Sequence, residues 1–293
     1  MTTTPSSALR HESAQSFRQW SQARSLADNL SRVEADVRMR PQDAQMRWLL
    51  FELLCVLGQW ERALKQLQTW AELSKEGVDS TAHVMRGLIR AEHARVEVLA
   101  GRAEVLTVSA SETPVPAWMA GLSQALRVAA GELHAGNEDL QASEASDAAR
   151  EAALAQAPDT PGSCDHLGAF SWITDSDTRI GPVCEVILIG AYRWLPFCDM
   201  RSITKAPPQR LLDLVWSQVD IELRDGTPLK GYMPMRYPVH AGERDALLMA
   251  RETVWTECGR TGVHARGQKM WMTDAGDVSL LDLRHCEFLH DAG

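Results

Sequence analysis

Hydrophobic residues recur with a helical period through the first half of the chain. Leu26, Leu30, Val33 and Val37 are separated by steps of three or four residues, so they form one stripe along a helix. Pro41 ends that stripe, because a proline ring does not fit inside a continuing helical turn. The pattern therefore predicts an amphipathic first helix.

A second helix is predicted over residues 42–57, where almost every position from Trp48 onwards is apolar. Such a helix should lie between neighbouring elements, with little face left for water. Gly58 then supplies a turn. After it a single apolar stripe resumes, made of Trp60, Ala63, Leu64, Leu67 and Trp70.

Residues 57–64, with the sequence Leu-Gly-Gln-Trp-Glu-Arg-Ala-Leu, resemble one unit of the tetratricopeptide repeat (TPR). In that repeat a glycine opens the turn, an aromatic residue follows, and a small alanine lets two helices approach closely. One such unit can be defended from the residues. We therefore expect a TPR-like helical array and keep a generic helical bundle as the alternative.

Three more helical stretches are predicted before the pattern changes. Residues 81–100 carry an apolar stripe closed by Gly101, and residues 118–133 carry another. Residues 137–156 are rich in Ala, Glu and Ser, which favours a helix with a thin apolar face. We expect this last helix to cap the helical half.

Arg86, Arg90 and Arg95 are predicted to lie on the side of the 81–100 helix opposite its apolar stripe. One interpretation is a solvated face, in which the arginines pair with Glu92 and Glu97. The other is a basic wall for an acidic or helical ligand. The sequence leaves both interpretations open.

The composition shifts sharply at residues 157–163, which contain two prolines and a glycine. Residues 219–224 alternate between apolar and charged side chains, as in a half-buried strand. The Asp-Gly dipeptide at 225–226 favours a hairpin turn. The returning strand over 229–237 contains Pro234, which predicts an edge or bulged strand.

Other elements of the second half are shorter. Residues 183–189 form an apolar run of strand length, and residues 270–283 predict a second hairpin. Two short helical stretches are predicted around 209–215 and 245–251.

Together the elements predict an α+β protein in which a TPR-like helical array is followed by a small antiparallel β-rich domain, either a sheet or a barrel. We expect residues 1–24 to form a flexible tail. Residues 25–157 are predicted to form the helical domain and residues 165–293 the β-rich domain.

The composition is that of an ordinary globular protein, with 45% hydrophobic and 24% charged residues. A formal net charge of −9 argues against non-specific binding to nucleic acid, which needs Lys and Arg to neutralise phosphates. No apolar run reaches the ~18 residues that a membrane span requires, and residues 1–16 lack the pattern of a signal peptide. We expect a cytoplasmic protein that binds neither nucleic acid nor a membrane.

The six cysteines form no C-x-x-C pair and are interpreted mostly as small buried hydrophobic residues. Cys164 and His166 lie close together in the sequence, as do His285 and Cys286, but neither pair repeats at a zinc-module spacing. We therefore predict no metal site and no cofactor.

Motifs that carry catalysis are missing from the sequence. It contains no G-x-S-x-G nucleophile motif, no glycine-rich phosphate loop and no His-Glu-x-x-His. Asp175 and Asp177 form a possible carboxylate pair, although a polar turn between strands is the favoured interpretation. We predict no catalytic residue and a protein that is not an enzyme.

Eight segments between Ser25 and Phe288 carry a more specific similarity, and they come in a fixed order. They are residues 26–41, 47–64, 170–173, 177–183, 192–197, 213–216, 236–238 and 273–276. In these segments the chain resembles the ImpE/TagJ family, accessory proteins of the bacterial type VI secretion system. The resemblance spans nearly the whole chain, and no single motif carries it.

This resemblance implies a cytoplasmic protein without known catalysis. Members of the family bind an N-terminal helix of the small subunit of the contractile sheath. They are thereby linked, indirectly, to the Clp-type AAA+ ATPase that disassembles contracted sheaths. A helical array suits this role, because its grooves can accept the apolar face of an amphipathic helix.

Five residues are predicted to contact that partner helix. If the TPR register holds, Trp48, Glu52 and Cys55 face the concave side of the array. Arg90 and Arg95 are predicted to form the neighbouring wall.

Two rival functions stay open at this stage. One is a general TPR-type adaptor or chaperone unrelated to secretion. The other is an enzyme, such as a hydrolase, whose site in the β-rich half uses Asp175, Asp177 and His166.

Overall fold

The computed structural model describes residues 25–74, 78–108, 115–134 and 144–289. The predicted flexible tail, residues 1–24, lies outside the described residues. The helices of the first half are α1 (Leu26–Met39), α2 (Ala44–Val56), α3 (Trp60–Leu73), α4 (Val78–Leu99), α5 (Ala117–His134) and α6 (Glu144–Leu154). Of the helices in the described part of the chain, none combines the length and the hydropathy that crossing a membrane requires.

Local sequence explains where the first helices begin and end. The Ser25 hydroxyl accepts a hydrogen bond from the backbone N–H of Asp28, and the Asp43 carboxylate accepts two at the start of α2. Both are N-caps, which satisfy donors that the first helical turn leaves unpaired. Gly58, between α2 and α3, has a φ of +67°, a conformation that favours glycine.

The predicted helices are confirmed, with small differences in their ends. For the last one, predicted over 137–156, the part before residue 144 lies outside the described residues. Neighbouring helices α1, α2, α3 and α4 pack against one another in order. Whether this array has TPR geometry stays a prediction.

The second half consists mainly of strands. They are β2 (Gly162–Cys164), β3 (Gly168–Phe170), β4 (Ile173–Asp175), β5 (Val183–Leu188), β6 (Ala191–Pro196), β7 (Met200–Lys205), β8 (Trp216–Leu223), β9 (Pro228–Pro234), β10 (Thr253–Cys258), β11 (Gly262–Gly267), β12 (Met270–Thr273), β13 (Gly276–Ser279) and β14 (His285–Phe288), preceded by β1 (Leu106–Thr107) after α4. Two 3-10 turns (Phe197–Asp199 and Leu211–Leu214) and a short helix α7 (Asp245–Leu248) lie between them. The predicted short helical stretches and second hairpin are thereby confirmed.

Most strands join one large sheet. Its nine strands run in the order β1-β6-β5-β9-β8-β7-β14-β2-β3, beside a two-stranded sheet, β10-β11, and a three-stranded one, β13-β12-β4. β1 pairs with β6 in parallel, so the large sheet is mixed. The α+β class is confirmed, and the pairings among the strands of the second half are antiparallel, but the expectation of a small sheet is wrong and β1 makes the sheet mixed. Several of its strands are two to four residues long, too short to show an alternating pattern.

The hairpin predicted at residues 225–226 is confirmed, because β8 and β9 pair across it and Gly226 has a φ of +85°. β9 is not an edge strand, however. It pairs with β8 on one side and, through Tyr232 and Ile187, with β5 on the other. Pro234 is the last residue of the strand, two residues beyond the Tyr232–Ile187 pairing with β5.

Strand β5 separates two hydrophobic cores. Val183 and Ile187 belong to a core shared with the helices, whereas Cys184 and Val186 belong to a core within the β-rich half. Since alternate residues of a strand point to opposite faces, the helices cover one face of the sheet at β5. Whether residues 25–157 and 165–293 are independent domains stays a prediction.

Candidate functional site

The five residues predicted to bind a partner occupy two different environments. Trp48, Glu52 and Cys55 on α2 are buried, and so is Arg95 on α4, whereas Arg90 on α4 is exposed. The structure therefore does not bring the five together on one surface. Their role in partner binding stays a prediction.

The side of α2 that was predicted to be concave is covered by other elements. The Trp48 ring packs against the rings of Phe51 and Trp70, with centroids 5.0 and 4.6 Å away. Desolvation raises the pKa of Glu52 to about 7, against the opposing effects of the Arg210 charge and a hydrogen bond with Trp48. Its Oε1 atom has no hydrogen-bond partner among the described residues. This environment favours the neutral carboxyl.

Arg236, from the segment after β9, binds the C-terminal end of α2. Its guanidinium donates hydrogen bonds to the carbonyl oxygens of Cys55 and Val56 at 2.8 and 2.6 Å, and to that of Leu248. The last carbonyls of a helix lack partners within it and carry partial negative charge. A buried cation therefore stabilises this helix end and encloses Cys55.

Arg95 is the centre of a buried charge cluster between α4 and the sheet. Its Nε and Nη2 donate to the two carboxylate oxygens of Glu185 on β5, each at 2.7 Å, in a bidentate pair. Its Nη1 donates to the carbonyl oxygen of Arg236 at 3.0 Å and lies 3.5 Å from Glu92. Trp216 on β8 donates to Glu92 at 2.8 Å. Every one of these charges has a hydrogen-bond partner or a counter-charge.

Lys269 extends the cluster on the far side of Glu185. Its ammonium group lies 2.6 Å from Glu185 Oε2 and also pairs with Asp175. Burial alone would raise the pKa of Glu185, but the charges of Arg95 and Lys269 outweigh it and hold that pKa well below its ordinary value. Tyr192 donates to Glu185 at 2.5 Å and completes its set of donors. We define the buried charge cluster as Glu92, Arg95, Asp175, Glu185 and Lys269.

The two aspartates of the enzyme hypothesis belong to this interior. Asp175 accepts a hydrogen bond from Tyr237 at 2.8 Å, and Asp177 forms an ion pair with Arg179 at 2.6 Å. Both are almost completely buried, whereas His166 is exposed, and no contact joins it to either aspartate within the described residues. Their arrangement gives each aspartate a structural partner.

The two pairs of possible metal ligands meet at the Cys164 and Cys286 positions. These residues oppose each other on β2 and β14, with their sulfur atoms 2.7 Å apart. The His285 ring is engaged with the Thr204 hydroxyl at 2.9 Å. Across residues 25–74, 78–108, 115–134 and 144–289, no group of three or more His, Cys, Asp or Glu side chains is placed to hold a metal ion.

A surface groove of about 240 Å³ lies where α4 passes the turn between β5 and β6. We call it the α4–hairpin groove. Its lining is mainly apolar, and none of its lining residues is acidic. Its lining includes the side chains of His83, Val84, Arg90, Ile189, Lys230 and Tyr232.

Two glycines bring the walls of this groove together. A Cβ atom on Gly87 of α4 would lie 3.0 Å from the Cα of Gly190 in the β5–β6 turn, so the helix and the turn are in backbone contact. The Arg90 guanidinium lies over the same turn, within 3.2 Å of where a Gly190 Cβ would be. Glycine at both positions therefore permits this close approach.

Ile189 lies at the tip of the β5–β6 turn, where both its exposure to water and its backbone conformation are unfavourable. Its side chain is 100% exposed, and its φ is +52°. Positive φ is a genuine outlier for a β-branched residue, and two-residue turns of this kind favour Asn or Asp at this place. Gly190, with a φ of +70°, fits the turn, but Ile189 does not.

Sequence reasoning found Arg90 but missed the rest of the groove. A glycine inside a helical pattern, here Gly87, signals close packing when a second backbone lies nearby. Ile189 was predicted to be the last residue of a strand over 183–189. Its unusual turn chemistry is visible only once β5 and β6 are known to pair.

By fold and site, this is an α+β protein in which a helical array packs on a mixed sheet through paired buried charges, with a groove on its surface. Residues 168–287 match the model of a family described as ImpE protein. The chain is 38% identical over 265 residues to the type VI secretion system accessory component TagJ of Pseudomonas aeruginosa, covering 90% of this chain and 87% of that one. The chain therefore belongs to the ImpE family, which confirms the resemblance in the sequence.

A solved structure shares the fold. The crystal structure of protein VPA1032 from Vibrio parahaemolyticus matches with a TM-score of 0.78 at 23% sequence identity. The match covers 91% of this chain and 95% of that one. The helical array and the mixed sheet thus occur together in both proteins.

Proposed function

We propose that this protein is a non-enzymatic accessory component of a bacterial type VI secretion system. In this proposal it binds an N-terminal helix of the small sheath subunit. It thereby links the contractile sheath, indirectly, to the AAA+ ATPase that disassembles it. We also propose that the protein is located in the cytoplasm, where this role would place it.

One observation carries the accessory role. The similarity to the accessory component TagJ extends over 90% of this chain and 87% of the relative, so the helical array and the sheet are both included. Similarity confined to one part would support only a shared fold module. Function still lives in particular surfaces, and sheath binding is the finer step of the proposal.

The interior supports a role without catalysis. The acidic and basic groups of the buried charge cluster are paired with one another, and its central members, Arg95, Glu185 and Lys269, are at most 1% exposed. A general acid or base must reach the proton that it transfers, and these groups face only protein. Of the five predicted contact residues, Arg90 is the exposed one, so it is our candidate for direct contact with the partner.

Binding to the sheath subunit can be measured directly by calorimetry. The full-length chain is titrated with the purified small sheath subunit of the same bacterium and with a peptide of its N-terminal helix. We expect saturable binding to both, and no binding to a small subunit that lacks the helix. A scrambled peptide of the same composition is the control.

Two results would contradict the proposal. Equal affinity for unrelated amphipathic helices would favour a general TPR-type adaptor or chaperone. No measurable binding of either sheath probe would remove sheath binding as the function.

A further inference from the structure

We propose that the α4–hairpin groove is the docking site for an acidic, amphipathic segment of the partner protein. The segment inserts an apolar side chain beside Ile189 and Val84 and places carboxylates opposite Arg90 and Lys230. This deepens the proposed function and rests on it for the identity of the partner. The position of the site and the chemistry of its ligand come from the groove itself.

The first argument is the state of Ile189. A fully exposed isoleucine leaves its apolar surface in water, and its positive φ adds backbone strain. Asparagine or glycine would relieve both costs without changing the turn. A side chain in this state gains most from being covered by an apolar partner, and Val84, across the groove on α4, is also exposed.

The second argument is charge. The whole chain has a formal net charge of −9, yet the lining of this groove contains His83, Arg90 and Lys230 and no carboxylate. Lys230 pairs with Asp220 at 2.7 Å, whereas Arg90 has no ion-pair partner among the described residues. Opposite charges on the two sides of an interface guide association and fix register. An acidic segment therefore fits this groove better than a basic one.

The third argument is size. A volume of about 240 Å³ lies below the ~300–1,000 Å³ of typical small-molecule pockets. An α-helix is ~10 Å across with its side chains, so the groove takes side chains from a segment lying over it rather than the segment itself. A polypeptide with apolar anchors and flanking carboxylates has this shape.

Two substitutions test the groove by calorimetry with the small sheath subunit. Ile189→Asn removes the apolar anchor but suits the positive φ, so the fold should be at least as stable as the wild type. We expect its affinity to fall about tenfold or more, the order expected for losing a buried isoleucine contact. Arg90→Glu should lower affinity by roughly tenfold and reduce the dependence of binding on salt.

Matched controls exist for both variants. Arg86→Glu makes the same charge change at an exposed position of the same helix, outside the groove lining. Met39→Asn removes another exposed apolar side chain at the end of α1. Both should bind like the wild type. A partner peptide in which Lys replaces the Asp and Glu residues should recover affinity for Arg90→Glu.

The outcomes separate the two proposals. Wild-type binding that is weakened in the two groove variants, but not in the two controls, supports the docking site. If the wild type binds and both groove variants bind equally well, the docking site is overturned and the proposed function still stands. No binding by the wild type overturns both. Self-association of the free chain that Ile189→Asn abolishes would show that a second copy occupies the groove, and would also overturn the proposal.

Discussion

Helix α4 carries two arginines in opposite environments, little more than one helical turn apart. Arg95 points inward, where it makes a bidentate pair with Glu185 and a third hydrogen bond to a carbonyl. Arg90 points outward over a glycine turn and has no ion-pair partner in the described chain. The same strand links them, since β5 contributes Glu185 to the interior and runs into Ile189 at the surface.

The two arginines are expected to contribute to different properties: Arg95 to the stability of the fold and Arg90 to partner binding. Charges in the buried cluster are paired because an unpaired charge in protein is very costly. Exposing the groove side chains to water costs less free energy than burying an unpaired charge. A partner that covers these side chains therefore gains binding free energy. Changes inside should therefore lower stability, and changes outside should lower affinity.

The largest expected effect is that of Arg95→Met. It leaves Glu185 buried with Lys269 as its remaining cation, and we expect a loss of ~3–5 kcal/mol in the free energy of unfolding. Urea denaturation followed by circular dichroism measures it, with Arg86→Met as the exposed control, expected within ~0.5 kcal/mol of the wild type. A loss below ~1 kcal/mol would show that the cluster is not structurally important and would break the comparison.

A second prediction concerns Glu52, a buried acid for which the charge of Arg210 only partly offsets the effect of burial. Its pKa is raised to about 7 from 4.5, so the folded state disfavours the ionised carboxyl, and stability falls as the pH rises from about 4.5 to 7. Glu52→Gln should gain ~1–3 kcal/mol over the wild type at pH 8 and much less at pH 5. Urea midpoints at the two pH values measure it. A difference that does not change with pH would contradict the assignment.

The smallest expected effect on stability is that of Ile189→Gly. Relief of the positive φ should stabilise the fold by ~1 kcal/mol, reduced by the greater freedom of glycine in the unfolded chain. The thermal midpoint of the purified protein measures it, and Met39→Gly at the end of α1 is the control for losing an exposed apolar side chain. A clear loss of stability would mean that Ile189 supports the fold. That result would contradict the assignment of the groove side chains to binding alone.

Much of the fold was predictable because its signals are local. The α2–α3 turn at Gly58 and the β8–β9 hairpin at residues 225–226 each depend on a few neighbouring residues. The extent of the sheet was not, since strands such as β2 and β14 are three or four residues long and meet only across 122 positions of sequence. Short segments of this kind carry no periodic pattern.

The candidate site was predictable only in part, for a related reason. The sequence analysis grouped Arg90 and Arg95 on one polar side, although residues five apart are rotated by ~140° on a helix and Arg95 falls in register with Leu88 and Val98. The partner of Arg95 could not be predicted in this way, since Glu185 lies 90 positions away on β5. A buried ion pair between residues far apart in the sequence depends on the tertiary structure. For the same reason, burial of Trp48, Glu52 and Cys55 follows from elements far along the chain.

The hydrogen bond from Arg236 to the carbonyl of Val56 has a consequence for how the protein is made. The two residues are 180 positions apart, so at ~5–20 residues per second the ribosome adds Arg236 roughly 10–40 seconds after Val56. During that interval the end of α2 has only local partners, such as the Gly58 N–H that donates to the Cys55 carbonyl. Helix α2 therefore acquires its final cap late in synthesis, and a chain truncated before residue 236 would lack it.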